Sequence, residues 1–316
     1  MDNIQKYEPD IIAHEPHGRY MNPLTDFGFK RIFGTEANKD LLIDFLNAVL
    51  TINDKIVNLT YSNVERKGRI KSERGAFFDL HCITNKGERI IVEMQNIPQT
   101  NFKDRALYYV ASPIHEQGEK KKRWNFKLQP VYSVNILNFA FKDKKDDDFI
   151  HQVQLMDVRT KSLFYEKLIF VFIELEDFNK PEDQLTHESE QWTYLLKYLS
   201  DLKTIPESMK KNKVYKKLFE QAELANMNKK ELSMYDKSLK RYRDMYTTKT
   251  ILRDYISENK KAKKDVEKAL KDKEAWKEKA IMREREKTSL QHEKEEWQHK
   301  YEELRRLLDL KNISLN

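Results

Sequence analysis

The chain has 316 residues, 35% charged and 39% hydrophobic, with a formal net charge of +7, which allows two domains and a sizeable core and is compatible with a polyanionic partner. A single cysteine excludes an internal disulfide framework. No signal peptide and no apolar run of membrane-spanning length is read, since even LIFVFIEL at 168–175 contains Glu174, and the expected compartment is the cytoplasm, away from membranes.

Residues 1–20 read as a polar, irregular arm, in which His14 and His17 lack the further ligands of a metal site. Asn22, Pro23 and Thr25 signal a turn and helix start, followed by a short amphipathic helix closed by Gly34, with Phe29 and Phe33 facing the core. Asp26 and Lys30, four apart, fit an ion pair worth about 0.2–0.5 kcal/mol. Asn38 is placed to cap a second helix carrying Leu41, Leu42, Phe45, Leu46 and Val49 at helical spacing. Residues 56–64 read as a strand. The following ERKGRIKSERG (65–75) is a basic loop whose Lys67, Arg69, Lys71 and Arg74 either hold phosphates or are simply solvated.

The stretch 76–95, AFFDLHCITNKGERIIVEMQ, reads as a hairpin. By alternation Leu80 and Cys82 share one face and Asp79 and His81 the other. On the second arm Ile90, Val92 and Met94 oppose Ile91, Glu93 and Gln95. The turn Asn85-Lys86-Gly87, with pairing symmetric about Lys86, sets Asp79 directly across from Glu93. Opposed like charges are destabilising. A hard cation with oxygen ligands would offset the repulsion; the alternative is that both acids lie on a solvated face. Cys82, on the apolar face, reads as a core residue.

Residues 102–117 read as a helix that Pro113 ends or kinks, with Arg105 and Tyr108 three apart. EKKKRW (119–124) is basic beside an aromatic. Strands are expected at 131–139, 151–158 and 168–175, joined in part by the polar KDKKDDD at 142–148. No strand-like run follows, and 188–203 and 207–256 read as two or three helices separated around Pro206. From about Glu258 to Leu308 the chain reads as one long helix. A heptad seam runs through Val266, Ala280, Tyr301 and Leu308 at a, and Ala269, Trp276, Leu290, Trp297 and Leu304 at d. Lys273, Lys287 and Lys294 at a and Arg283 at d weaken it, so the expectation is modest self-association into a homo-oligomer, with a single helix held by intrahelical ion pairs as the alternative.

The order NPLTDFGFKRIFG (22–34), NKDLLIDFLNAVL (38–50), FFDLHC (77–82), IIVEMQ (90–95), FKDRALYY (102–109) and PVYSVNILNF (130–139) resembles the PD-(D/E)xK nuclease superfamily and, within it, the recombination-promoting nuclease and putative transposase group. The resemblance implies an α/β, restriction-endonuclease-like mixed sheet flanked by helices, then an all-helical region and a long C-terminal helix or coiled coil. The expected divisions are an arm at 1–20, a nuclease-like domain at 21–180, a helical region at 181–256 and the charged helix at 257–316. It implies a DNA endonuclease with Asp79 and Glu93 as ligands of Mg²⁺, for which Mn²⁺ substitutes. Gln95 stands where the wider pattern has Lys and orients water or phosphate without bringing charge. The resemblance also implies an added carboxylate from Asp26, support from Lys30, Arg105 and Tyr108, and DNA contacts in the 65–75 loop. The competing readings are a degenerate nuclease fold that binds DNA without cutting, and an interaction scaffold acting through its tail. No Gly-x-x-x-x-Gly-Lys loop supports nucleotide-dependent chemistry.

Overall fold

The run VYSVNIL carries apolar residues on both faces, interrupted on one by Ser133 and Asn135, as suits a strand buried inside a parallel sheet. In the computed structural model it forms β6 (Val131–Leu137), buried along its whole length. The structure describes residues 18–313 except 53, 63–64, 67–75, 78, 119–124 and 142–147, with backbone alone for 65–66, 76–77 and 311–313. Among these residues six strands make one mixed sheet, ordered β1 (Leu59–Tyr61), β4 (Leu80–Thr84), β5 (Arg89–Gln95), β6, β8 (Leu163–Glu174), β7 (Ile150–Met156). A separate pair joins β2 (Glu65–Arg66) to β3 (Ala76–Phe77). Strands β5, β6 and β8 are parallel neighbours, while β1 with β4, β4 with β5, and β7 with β8 pair antiparallel.

Alternation along β5 divides the molecule into two cores. Ile90 and Val92 join Leu80, Cys82, Val134, Ile136, Val171 and Ile173 on one face. That face is covered by α1 (Asp26–Phe33), α2 (Lys39–Val49), α4 (Glu188–Tyr198), α5 (Lys213–Ala222) and the first turns of α6 (Lys229–Ile313), through Phe29, Phe45, Trp192, Phe219 and Tyr235. Ile91 points the other way and packs with Phe102, Ala106 and Val110 of α3 (Phe102–Glu116), the crossover between β5 and β6. Glu93 and Gln95, in phase with Ile91, therefore project toward α3.

Several element boundaries differ from expectation. Strand β1 is limited to Leu59–Tyr61. Pro113 lies inside α3, which continues to Glu116. Strand β8 begins at Leu163, before the apolar run, because its exposed start pairs with β7 across a register shift. Asn38 sits at the start of α2 without capping it, and its amide donates instead to the Arg31 carbonyl at 2.8 Å. The long helix begins at Lys229, upstream of Glu258. Its first turns are amphipathic, burying Tyr235 and Leu239 against the core, and only later turns have the uniform charge from which the sequence suggests a start.

The chain divides into two compact units between Lys249 and Thr250. From Thr250 to Ile313 the second is a continuous helix in which Val266, Trp276, Leu290, Trp297, Tyr301, Leu304 and Leu308 are all more than half exposed. No helix among the described residues is long and apolar enough to cross a membrane.

Candidate active site

The β4–β5 turn is closed by Gly87 N–H donating to the Thr84 carbonyl at 2.9 Å and Thr84 N–H donating to the Glu88 carbonyl at 3.0 Å. Gly87 adopts φ +84°, a left-handed value that a side chain would strain. The turn fixes Leu80 opposite Val92, Cys82 opposite Ile90 and Ile83 opposite Arg89. One step beyond the last ladder pair, Asp79 stands opposite Glu93. There side chains replace the ladder: Met94 N–H donates to Asp79 Oδ2 at 2.7 Å, and Asp79 N–H donates to Glu93 Oε1 at 3.3 Å. Each acid is thus held by the opposite arm's backbone, and the two carboxylates converge.

Convergence away from water has an electrostatic consequence. Glu93 is 5% exposed. Burial, with the Asp79 charge adding to it, pushes its carboxyl up to about 8, against the weaker opposing pull of Arg105. Burial likewise raises Asp79, an effect that the Met94 N–H and the Lys30 charge oppose. A cation between the two acids would relieve both effects.

Helix α3 supplies one positive charge. Arg105 Nη2 lies 3.4 Å from Glu93 Oε2, and its Nη1 donates to Gln99 Oε1 at 2.8 Å and reaches Gln95 Oε1 at 3.4 Å. The guanidinium sits 4.8 Å from the centre of the Tyr109 ring, a cation–π geometry. Tyr108, the residue singled out from the sequence, is half exposed and packs against Tyr109 at 6.4 Å. The ring under Arg105 is the one a full helical turn on, at i+4.

Helix α1 approaches from the other side. Thr25 caps it through Gly28 N–H, at 3.0 Å. Asp26 and Lys30 form an exposed ion pair at 2.7 Å, and their charges act on Asp79. Asp26 thus lies within electrostatic range of Asp79 but is engaged by Lys30. Among the described residues no group of three or more His, Cys, Asp or Glu side chains converges. Lys67, Arg69, Lys71 and Arg74 lie outside the described residues.

Three neighbours escaped the sequence reading. Gln99 and Tyr109 fix Arg105, and Asn135 stands beside Glu93 in the parallel register, fully buried. The Asn135 amide donates to the Ser133 carbonyl at 3.1 Å and the Val171 carbonyl at 3.3 Å. An Asn inside an apolar strand is the signal that could have marked it, since buried amides need partners.

The donor set is two carboxylates with an amide beside them, all hard oxygens. It suits a divalent cation that keeps water or phosphate oxygens in its remaining positions. A sequence model described as PD-(D/E)XK nuclease family transposase matches residues 23–251. The chain belongs to that family. For a PD-(D/E)XK nuclease family transposase, the mixed six-stranded sheet with flanking helices is the restriction-endonuclease-like α/β arrangement, and nucleases of this kind typically use divalent metals. No curated protein and no solved structure matches the chain.

Proposed function

We propose that the chain is a Mg²⁺-dependent DNA endonuclease, with Mn²⁺ as an effective substitute, and that it hydrolyses phosphodiester bonds at the β4–β5 hairpin. The observation that supports this best is the pair of opposed carboxylates, each tied to the other arm by a backbone N–H. Asp79 and Glu93 hold the ion, which supplies neutralising charge to the phosphate and a more acidic water. The hydrogen bonds from Met94 and Asp79 N–H fix the carboxylates before substrate arrives, so little reorganisation is needed. Arg105, held by Gln99 and Tyr109, places a guanidinium near Gln95 and Glu93. It contributes the positive charge that Gln95 lacks, and the Gln95 amide orients a water or a phosphate oxygen. Lys30, paired with Asp26, adds a second cation on the α1 side.

Plasmid cleavage with Mg²⁺, comparing the wild type with Asp79→Ala and Glu93→Ala, tests the assignment. Both substitutions should abolish cutting. Cutting that survives both would place the chemistry elsewhere.

Gln95 supports a second reading, a nuclease fold that has lost cleavage and binds DNA alone; DNA binding without cutting in either metal is its outcome. The exposed apolar positions of α6 beyond Thr250 further support self-association through that helix, because a stripe holding Trp276, Trp297 and Leu304 is left in water by a single copy.

A further inference from the structure

A groove of about 650 Å³ lies between the outer surface of α1 and the opening turns of α6. Its walls are tied together: Phe27 N–H donates to Ser238 Oγ at 3.0 Å, and Arg31 Nη1 meets Glu231 Oε1 at 2.5 Å. On α6, Lys230, Met234, Lys237 and Arg241 follow one another at i, i+4, i+7 and i+11, the spacing of a single helix face. The opposite face of the same turns is used up in the core by Tyr235 and Leu239.

Charge along this groove is unevenly compensated. Its two carboxylates are both engaged, Asp26 by Lys30 and Glu231 by Arg31. Lys230, Lys237 and Arg241 are exposed and make no ion pair among the described residues. By helix rise, Lys230 to Lys237 spans about 10 Å and Lys237 to Arg241 about 6 Å. The apolar lining is Phe27 and Met234, and the Phe27 ring packs toward Tyr235 of the core at 6.2 Å between centroids. Lys30 belongs both to this groove and to the charges acting on Asp79, which links the groove electrostatically to that acid.

We infer that the α1–α6 groove is a binding track for the phosphate backbone of duplex DNA, in which Lys230, Lys237 and Arg241 hold one strand and Lys30 passes it toward Asp79 and Glu93. This rests on the endonuclease reading for the direction of delivery, but not for binding itself. Because the contacts are to phosphate, the track is indifferent to base sequence.

The test uses the full-length chain and a fluorescently labelled duplex in metal-free buffer, with anisotropy measured over a salt series. Lys237→Ala/Arg241→Ala should lower the log–log salt slope by about two. Lys237→Glu/Arg241→Glu should weaken binding at least about tenfold at fixed salt. Lys240→Glu/Arg243→Glu makes the same charge change at exposed positions outside the groove and should have a much smaller effect, and matched far-ultraviolet spectra show that each variant folds. The assignment is overturned if the groove variants bind with wild-type affinity and slope, if the control pair is equally damaging, or if the wild type does not bind duplex. Groove-dependent binding by a wild type that cuts nothing in Mg²⁺ or Mn²⁺ keeps the track and removes the nuclease, whereas cutting with groove-independent binding does the reverse.

Discussion

Replacing Glu93 by Gln keeps the shape of the side chain and removes its charge, so it separates the electrostatic cost of the acid pair from its packing. In the metal-free protein the Glu93 carboxyl is held near 8 by burial and by Asp79, whereas an unfolded glutamate titrates near 4.3. Its folded form therefore binds a proton that the unfolded form has released. Stability in chelator falls as pH rises from about 4.5, and the fall levels off above about 8. At about 1.4 kcal/mol per unit, the upper limit is about 5 kcal/mol, and relaxation around the pair reduces what is realised. Even half of that corresponds to roughly 5–10 °C in Tm for a unit of this size. Thermal denaturation in chelator between pH 5 and pH 9 should show the wild type losing Tm with pH while Glu93→Gln follows a flatter line and crosses above it. Added Mg²⁺ or Mn²⁺ should raise the wild-type Tm by mass action, and more so at higher pH where cation and proton compete less. The variant should not respond. Parallel pH profiles, or an equal metal response in both proteins, would falsify the paired-acid site.

Arg105→Lys keeps the charge but loses the planar fork that reaches Glu93, Gln95 and Gln99 together, so Mg²⁺-dependent cleavage should fall by an order of magnitude or more while duplex affinity changes little. Wild-type cleavage by this variant would show that position 105 contributes charge alone. Gly28→Ala should lower stability by about 1–3 kcal/mol, because an added Cβ would lie 2.3 Å from the Asn22 carbonyl oxygen and 2.8 Å from Thr25 Oγ1; an unchanged denaturant midpoint would refute this. Truncation before Asn259 should convert an associating chain to a monomer in analytical ultracentrifugation. Equal monomer mass for both would leave α6 a single helix supported by its own ion pairs.

The acid pair was legible because two short-range rules determine it: a period of two along each arm and a turn centred on Lys86. Both depend on fewer than twenty consecutive residues, and the observed register Leu80 to Val92 and Ile83 to Arg89 is the one they require. The packed helices α1 and α2 were legible for the same reason, through Phe29, Phe33, Leu42 and Phe45. What surrounds the pair was less so. Arg105 pairs with Gln99 across the start of α3, where Asn101 takes a left-handed φ of 64°. Nothing in the order of residues says which of Tyr108 and Tyr109 then turns under the guanidinium. The start of α6 was hidden because the turns after Asn228 continue a stretch that already reads as helical. Its amphipathic turns look like one more short helix until the core they enter is known.

The segment 22–30 links these observations. Asn22 N–H donates to Tyr235 OH at 2.9 Å and Phe27 N–H to Ser238 Oγ at 3.0 Å, which fasten it to α6. Asn96, directly after β5, donates to the Leu24 carbonyl at 2.9 Å and fastens it to the hairpin. Gly28 allows the close turn between these anchors, and Thr25 caps the helix that leaves it. A segment held at both ends positions Lys30 with respect to Asp79 on one side and Lys237 on the other. Loosening either anchor should therefore disturb cleavage and DNA binding together. Tyr235→Phe, which removes a single hydroxyl while leaving the ring in the core, is the mildest way to separate that coupling from loss of the fold: a folded Tyr235→Phe chain that binds and cuts as the wild type does would show that α1 is positioned without α6.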